Sequence, residues 1–143
     1  MAVTFTSLTR RFRLKHQGRL RRWLQQVAEA ERTPLRRLHV VLTSDKHLYK
    51  LNKYFLNHSY FTDVLTFQYS AAEQPLEAEV FISVQRVADN ARRLQLPMER
   101  ELHRVMVHGL LHCLGYSDSR PTLARRMRKM EDHYLEVLYR SFR

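Results

Sequence analysis

The sequence predicts an α+β domain, a small, mostly antiparallel or mixed four-stranded sheet packed with about five helices. Three observations carry that prediction. Four short segments rich in β-branched and aromatic residues, 3–7, 38–43, 64–69 and 79–84, all fall in the first 84 residues. From Gln85 onward apolar residues recur at helical spacing. The 143 residues hold no internal repeat, low-complexity tract or linker, so a single domain over 1–143 is expected.

Taken in order, Val3 and Phe5 alternate against Thr4 and Thr6, the pattern of a half-buried strand. Leu20, Trp23, Leu24 and Val27 follow the i, i+3, i+4, i+7 template of an amphipathic helix that stops near Thr33-Pro34. The run LHVVLT, 38–43, is the second strand, after which Ser44 or Asp45 can cap a helix carrying Leu48, Leu51, Asn52 and Phe55. Strands three and four, 64–69 and 79–84, are expected to pair antiparallel, with SAAEQPLE between them as a connection. Val87, Ala88, Ala91 and Leu94 mark a helix that Pro97 separates from the next, which starts near Met98 and carries Leu102, Val105, Met106, Gly109, Leu110 and Cys113 on its apolar side. Gly115 stands where a helix commonly ends in a left-handed residue, and the last helix spans roughly 121–140.

Composition excludes several classes. Three glycines are too few for a G-x-G-x-x-G loop or a Walker A cradle, so no nucleotide cofactor of those kinds is expected. No apolar run approaches the roughly 20 residues of a membrane span, and no membrane partner is predicted. One cysteine cannot form an internal disulfide, and the first fifteen residues lack the apolar core of a signal peptide, which predicts a cytoplasmic protein. The 25 Lys and Arg against 14 Asp and Glu give a net charge of +11, which points to a polyanionic partner, nucleic acid first.

His108 and His112 lie four residues apart on a predicted helix, so both imidazoles project from one face. This is the spacing of the H-E-x-x-H metalloprotease helix, but Gly109 stands where the general base would be. Gly115 then stops the helix and returns the chain to Asp118, giving a possible His-His-Asp metal site with open positions. On spacing alone, ordinary surface or core residues fit these positions equally well.

The run His108-Gly109-Leu110-Leu111-His112-Cys113-Leu114-Gly115-Tyr116-Ser117-Asp118 resembles the H-G-x-L-H-L-x-G-Y-D-H signature of the YbeY-type rRNA maturation factors, proposed metal-dependent endoribonucleases. Upstream, Leu51-Asn52 followed by Thr62-Asp63-Val64-Leu65-Thr66-Phe67, and the strand Glu79-Val80-Phe81-Ile82-Ser83, resemble further family blocks in order and spacing over roughly 45–135. The resemblance implies a zinc or other divalent transition metal, one per chain, held by His108, His112 and Asp118. Three positions depart from the pattern. Asp118 replaces a histidine, which lowers the site's charge by one and weakens both the acidification of water and the discrimination against harder metals. Leu56 stands where the family has an arginine, and Lys53, Arg104 and Arg120 are the candidate substitutes for its charge. Ala78 replaces a glycine, a change of backbone fit.

Two readings follow. In the first the chain is a metal-dependent, single-strand-specific endoribonuclease in 16S rRNA processing and ribosome maturation and quality control. There the metal at His108, His112 and Asp118 polarises a water or phosphate oxygen, and Arg104 lies one turn before His108 on the ligand side. In the second it is a non-catalytic small-subunit assembly factor that binds RNA and carries a structural metal. Arg10, Arg11, Arg13, Arg19, Arg21, Arg22, Arg36 and Arg37 make the first quarter strongly basic; Arg19, Arg21 and Arg22, with Lys53 and Arg120, are the candidate RNA contacts. A monomer is expected. A metalloprotease is disfavoured by Gly109 and by the net charge. The remaining histidines, 16, 39, 47, 58, 103 and 133, are expected in exposed or hydrogen-bonded structural roles, Cys113 in packing, and most methionines and tyrosines in the core. Thr62 and Asp63 are either turn residues or the border of a metal cleft.

Overall fold

The computed structural model describes residues 2–10, 12–57 and 62–142. Its elements run β1 (Val3–Ser7), α1 (Gln17–Ala30), β2 (Leu35–Thr43), α2 (Asp45–Leu56), β3 (Val64–Gln68), β4 (Leu76–Ser83), α3 (Val84–Leu94), α4 (Met98–Cys113) and α5 (Pro121–Arg140). The strands form one sheet in the order β1-β2-β4-β3. β1 pairs parallel with β2, β2 parallel with β4, and β3 antiparallel with β4, so the sheet is mixed. A parallel pair needs a crossover, which α1 supplies between β1 and β2; the short β3–β4 connection permits only the antiparallel hairpin.

Strand β4 begins at Leu76, three residues before the sequence-based boundary, because Leu76 and Ala78 alternate inward against Glu77 and continue the strand's period. Strand β2 likewise starts at Leu35, with an irregularity between Leu35 and Arg37. The inner face of the sheet buries Val3, Leu38, Val40, Leu42, Val80 and Ile82 against α1 and α4. The outer face is covered only towards α2, where Val41, Thr43 and Leu65 are buried, and is open at its other end. Trp23 donates its indole N–H to the Tyr134 carbonyl at 2.8 Å and ties α1 to α5. Ser44 caps α2 through the His47 amide, and Ser83 caps α3 through the Arg86 amide. Asp45 accepts from both Ser83 and Arg86, locking the start of α2 onto α3.

Several side chains depart from the expectation that most tyrosines are core. Tyr54 and Tyr69 are exposed, as is Phe55 at the end of α2. His39, by contrast, holds a structural position between Thr6 and Glu79, and His58 lies outside the described residues. Burial pushes the Cys113 thiol up to about 11, consistent with a packing role.

Helix α4 lies on the sheet at Gly109. A Cβ at that position would meet Val80 Cγ1 at 2.7 Å and Thr66 Cγ2 at 3.5 Å, so the glycine sets the distance between helix and sheet. Gly109→Ala is expected to lower the urea midpoint, since overpacking of about 1–3 kcal/mol exceeds the roughly 1 kcal/mol of helix propensity gained. Adding Val80→Ala should give a double variant that loses less than the sum of the two single losses; strict additivity would show that the contact does not set the spacing.

His103, buried on α4 and hydrogen-bonded through Nδ1 to the Tyr139 hydroxyl at 3.0 Å, is pulled down to about 4 by burial. Its folded pKa lies below the unfolded value near 6.5, so the unfolded chain binds the extra proton between those values and stability falls as pH drops through that window. The expected slope contribution reaches about 1.4 kcal/mol per pH unit. A His103→Gln variant should show a flatter profile between pH 6.5 and 4 in urea titrations, and an unchanged slope would contradict the assignment.

Candidate metal centre

The apolar side of α4, Leu102, Val105, Met106, Gly109 and Leu110, packs inward and leaves His108 and His112 on its flank. Their rings stand edge to face with centroids 5.1 Å apart. Gly115, at φ +104°, ends the helix in the left-handed region, and the Tyr116 amide bonds back to the Leu111 carbonyl at 3.0 Å. The turn brings Asp118 Oδ2 to 3.6 Å from His108 Nε2 and Oδ1 to 3.5 Å from His112 Nε2. Those separations exceed an ordinary hydrogen bond. They match the edge of a tetrahedron, roughly 3.4 Å, about a metal with ligand bonds near 2.1 Å. The three donor atoms all lie within 4.8 Å of one another and could hold one metal ion.

The orientation of His108 comes from α5. Its Nδ1 donates to Glu131 Oε2 at 2.6 Å, which leaves the Nε2 lone pair facing Asp118. Burial pulls the His108 pKa down, but the bond and charge of Glu131, with Asp118 and Asp63, outweigh it and hold it above the ordinary imidazole value. Glu131 was not singled out in the sequence; its signal is a carboxylate on the buried stripe of α5, four residues after Met127 and three before Tyr134. Its other oxygen accepts from Arg104 Nη1 at 2.9 Å, while Arg104 Nη2 reaches Asp132 at 2.8 Å. Arg104 therefore borders the site as expected, but its guanidinium is engaged with two carboxylates. Arg128, which the sequence did not mark as a site residue, lines the same cavity with a largely exposed side chain whose Nε lies 4.0 Å from Glu131 Oε1.

Two cavities meet at the donors and share Asp63, His108 and Asp118. One, of about 310 Å³, adds Glu101, Arg104, Arg128 and Glu131. The other, of about 430 Å³, adds Asn52, Leu56, Thr62 and Thr66, with His112. Asp63 is both turn residue and cleft wall: its backbone carbonyl accepts from the Ser83 amide at 2.9 Å and its carboxylate from Asn90 at 3.2 Å. Burial raises its pKa against the opposing charge of His108. Glu101 is buried, with Oε1 lacking a partner among the described residues, and burial followed by the Asp63 charge raises its pKa. Leu56, at the position of the family arginine, opens onto the second cavity.

The turn carrying Asp118 is held from outside. Tyr116 donates to Glu31 Oε1 at 2.8 Å and Tyr134 donates to Glu31 Oε2, so the end of α1 anchors both the loop and α5. Of the residues proposed to touch RNA, Arg19 donates to the Ser141 carbonyl and lies over Phe142, and Arg21 donates to the Val3 carbonyl at 3.0 Å. Both sit on α1, which packs on β1, β2, α4 and α5, away from the cavities. Arg22, Lys53 and Arg120 are exposed; Lys53 is on α2 beside the second cavity, and Arg120 lies two residues beyond Asp118. Arg10, Arg13, Arg36 and Arg37 are exposed, and Arg11 lies outside the described residues.

Comparison with known proteins is consistent across three lines. The family described as Endoribonuclease YbeY matches residues 6–139. Endoribonuclease YbeY of Cytophaga hutchinsonii is 37% identical over 126 residues, 88% of each chain. That of Amoebophilus asiaticus is 38% identical over 124 residues, 87% of this chain and 84% of the relative. The solution structure of TM1509 from Thermotoga maritima shares the fold with a TM-score of 0.67 at 23% identity, over 98% of this chain and 91% of the other. With a family match across nearly its whole length and relatives above 30% identity, the chain belongs to the Endoribonuclease YbeY family.

Proposed function

We propose that this chain is a metal-dependent, single-strand-specific endoribonuclease of 16S rRNA processing and ribosome maturation, acting in the cytoplasm as a monomeric hydrolase domain with one zinc ion. The observation that carries the reading is the donor geometry: Asp118 stands at tetrahedral-edge separations from both His108 and His112, all three donors lie within 4.8 Å of one another, and Glu131 sets the tautomer of His108. The named activity of the relatives supports RNA as the substrate. No described helix is long and apolar enough to cross a membrane.

His108, His112 and Asp118 would hold the ion, and mixed nitrogen and oxygen donors suit zinc. When bound, such an ion supplies Lewis acidity and a source of hydroxide at neutral pH. The protein's own share is positional. Three protein donors instead of four leave open positions, and His112 and Asp118 are accessible to a substrate. Glu131 orients His108, and Arg104 balances the charge of Glu131. Arg128, which lines the cavity and pairs with Glu131 at 4.0 Å, is the largely exposed cation placed to meet a phosphate oxygen in the role that Leu56 vacates. The assembly-factor reading is favoured by one observation, the replacement of the family arginine by an apolar residue in the cleft wall.

Purified protein should carry about one divalent ion per chain, and His112→Ala should lose both the ion and cleavage of a single-stranded rRNA fragment. Glu131→Gln should weaken zinc affinity by about 10–100-fold in calorimetric titration. Full metal occupancy in His112→Ala would refute the ligand assignment, and a fully metallated protein that binds RNA without cutting would establish the assembly role. RNA affinity should also fall steeply with salt, with a log–log slope of about −0.7 per phosphate contacted; a flat response would remove RNA as the partner.

A further inference from the structure

The turn that presents Asp118 has few restraints of its own. Residues 116–118 belong to no helix or strand, and among the described residues the Asp118 carboxylate has no partner closer than 3.5 Å. Gly115 borders open space, since a Cβ there would meet nothing within 4 Å, and a cavity of about 350 Å³ lies against Gly115, Tyr116 and Ser117. Tyr116 is the point of attachment. Its ring packs against the core, and its hydroxyl donates to Glu31 Oε1 at 2.8 Å, which among the described residues is the one hydrogen bond from 115–118 to an element distant in the chain. Arg126 lies over the same ring at 5.3 Å from its centroid.

Glu31 is itself fixed. It stands at the C-terminal cap of α1, where its amide bonds back to the Val27 carbonyl at 3.0 Å, and α1 is seated in the core through Leu20, Trp23, Leu24 and Val27. Its second oxygen accepts from the hydroxyl of Tyr134, which is buried on α5 three residues after Glu131. One carboxylate thus reaches both arms of the metal centre. The first is the turn that carries the third donor; the second is the helix whose Glu131 orients His108. A donor already in place adds no loop-ordering cost when an ion binds, whereas a loose one takes that cost out of the affinity.

We propose that Glu31 is a positioning residue for metal binding: through the Tyr116 hydroxyl it holds the turn that presents Asp118, and through the Tyr134 hydroxyl it holds the helix that presents Glu131 to His108. This rests on the metal-centre reading and adds to it a residue from the end of α1, outside the helix and turn that supply the donors.

The test is the zinc affinity of the intact, metal-loaded protein, read by competition with a chromogenic chelator, in a cycle of Tyr116→Phe, Asp118→Ala and the double variant. Tyr116→Phe keeps the ring in the core and removes only the hydroxyl, so it should fold as the unaltered chain does, which circular dichroism checks. Zinc affinity should fall by about 10-fold, the lower end of the range for groups that orient a ligand. Asp118→Ala keeps two imidazoles, and its weaker binding is measured by direct calorimetric titration. In that background Tyr116→Phe should change affinity by less than about twofold, because the donor it positions is gone. Glu31→Ala should lose at least as much as Tyr116→Phe. Glu31→Gln should restore most of the loss, since an amide accepts from one hydroxyl and donates to the other. The absorption bands of the cobalt-loaded protein should shift in Tyr116→Phe, as expected where a donor is displaced. Unchanged zinc affinity and cobalt bands in Tyr116→Phe overturn the proposal and leave the metal centre standing. An equal loss with and without Asp118 also overturns it, because Tyr116 then acts on the fold at large. If the unaltered protein takes up neither zinc nor cobalt, the metal-centre reading falls and the positioning role with it.

Discussion

The contact between Gly109 and Val80 is the constraint on which the site depends. A glycine inside a helix costs about 1 kcal/mol relative to alanine, yet here it lies between the two histidines of the candidate metal centre. Without a side chain at 109, α4 sinks onto the inner face of the sheet, and Leu102, Val105, Met106 and Leu110 are buried with it, each contributing about 1.5–3 kcal/mol. The depth of that seat fixes the height of His108 and His112 above β3. It also fixes their reach: His108 meets Glu131 on α5 at 2.6 Å, and the turn after Gly115 meets both imidazoles through one carboxylate. A helix lifted off the sheet would separate all three relationships at once.

Charge is distributed in two opposite senses. The chain as a whole is +11, while Asp63, Glu101 and Glu131 gather their carboxyl groups around His108 in the interior. The exterior attracts a polyanion over long range, and the interior favours a cation at short range. Arg104 makes the arrangement sustainable. By pairing with Glu131 and Asp132 it compensates a carboxylate that is otherwise buried, and Glu131 keeps one oxygen for His108. Loss of one member of such a network costs more than the pair contributes, because an uncompensated charge is left behind. Arg104 thus supports the carboxylate that orients His108, with its guanidinium already occupied.

What was legible in the sequence was local. Helix α4, its stop at Gly115, the return of Asp118 and the β3–β4 hairpin all follow from spacing and turn chemistry within about a dozen residues. The parallel pairing of β2 with β4 was not legible, since it depends on which strand finds a place beside which after α2 and β3 have folded back. The first three residues of β4 were hidden because Leu76-Glu77-Ala78 follows a polar tract with the composition of a loop. Arg104 read as a free cation because its partners, Glu131 and Asp132, lie 27 and 28 residues away on another helix. Glu131 itself stands among arginines and looks like a solvated surface position; only its place on the apolar stripe of α5 distinguishes it. Phe55 was grouped with Leu48, Leu51 and Asn52 because helical spacing identifies a face without showing where the layer beneath it ends.

The two cavities that meet at the donors are unlike, and the difference gives the cleft a direction. The wall formed by Glu101, Arg104, Arg128 and Glu131 is ionic, with Arg128 at its exposed rim 4.0 Å from Glu131. The wall formed by Asn52, Leu56, Thr62 and Thr66 carries no charge beyond the shared Asp63, His108 and Asp118. A strand laid across His108, His112 and Asp118 therefore has its base favoured on the neutral side and its phosphate on the ionic side. An arginine at position 56 would place a fixed cation on the neutral wall and make the two sides more alike. Leucine there removes that cation and leaves the wall uncharged, so the two sides of the cleft stay unlike.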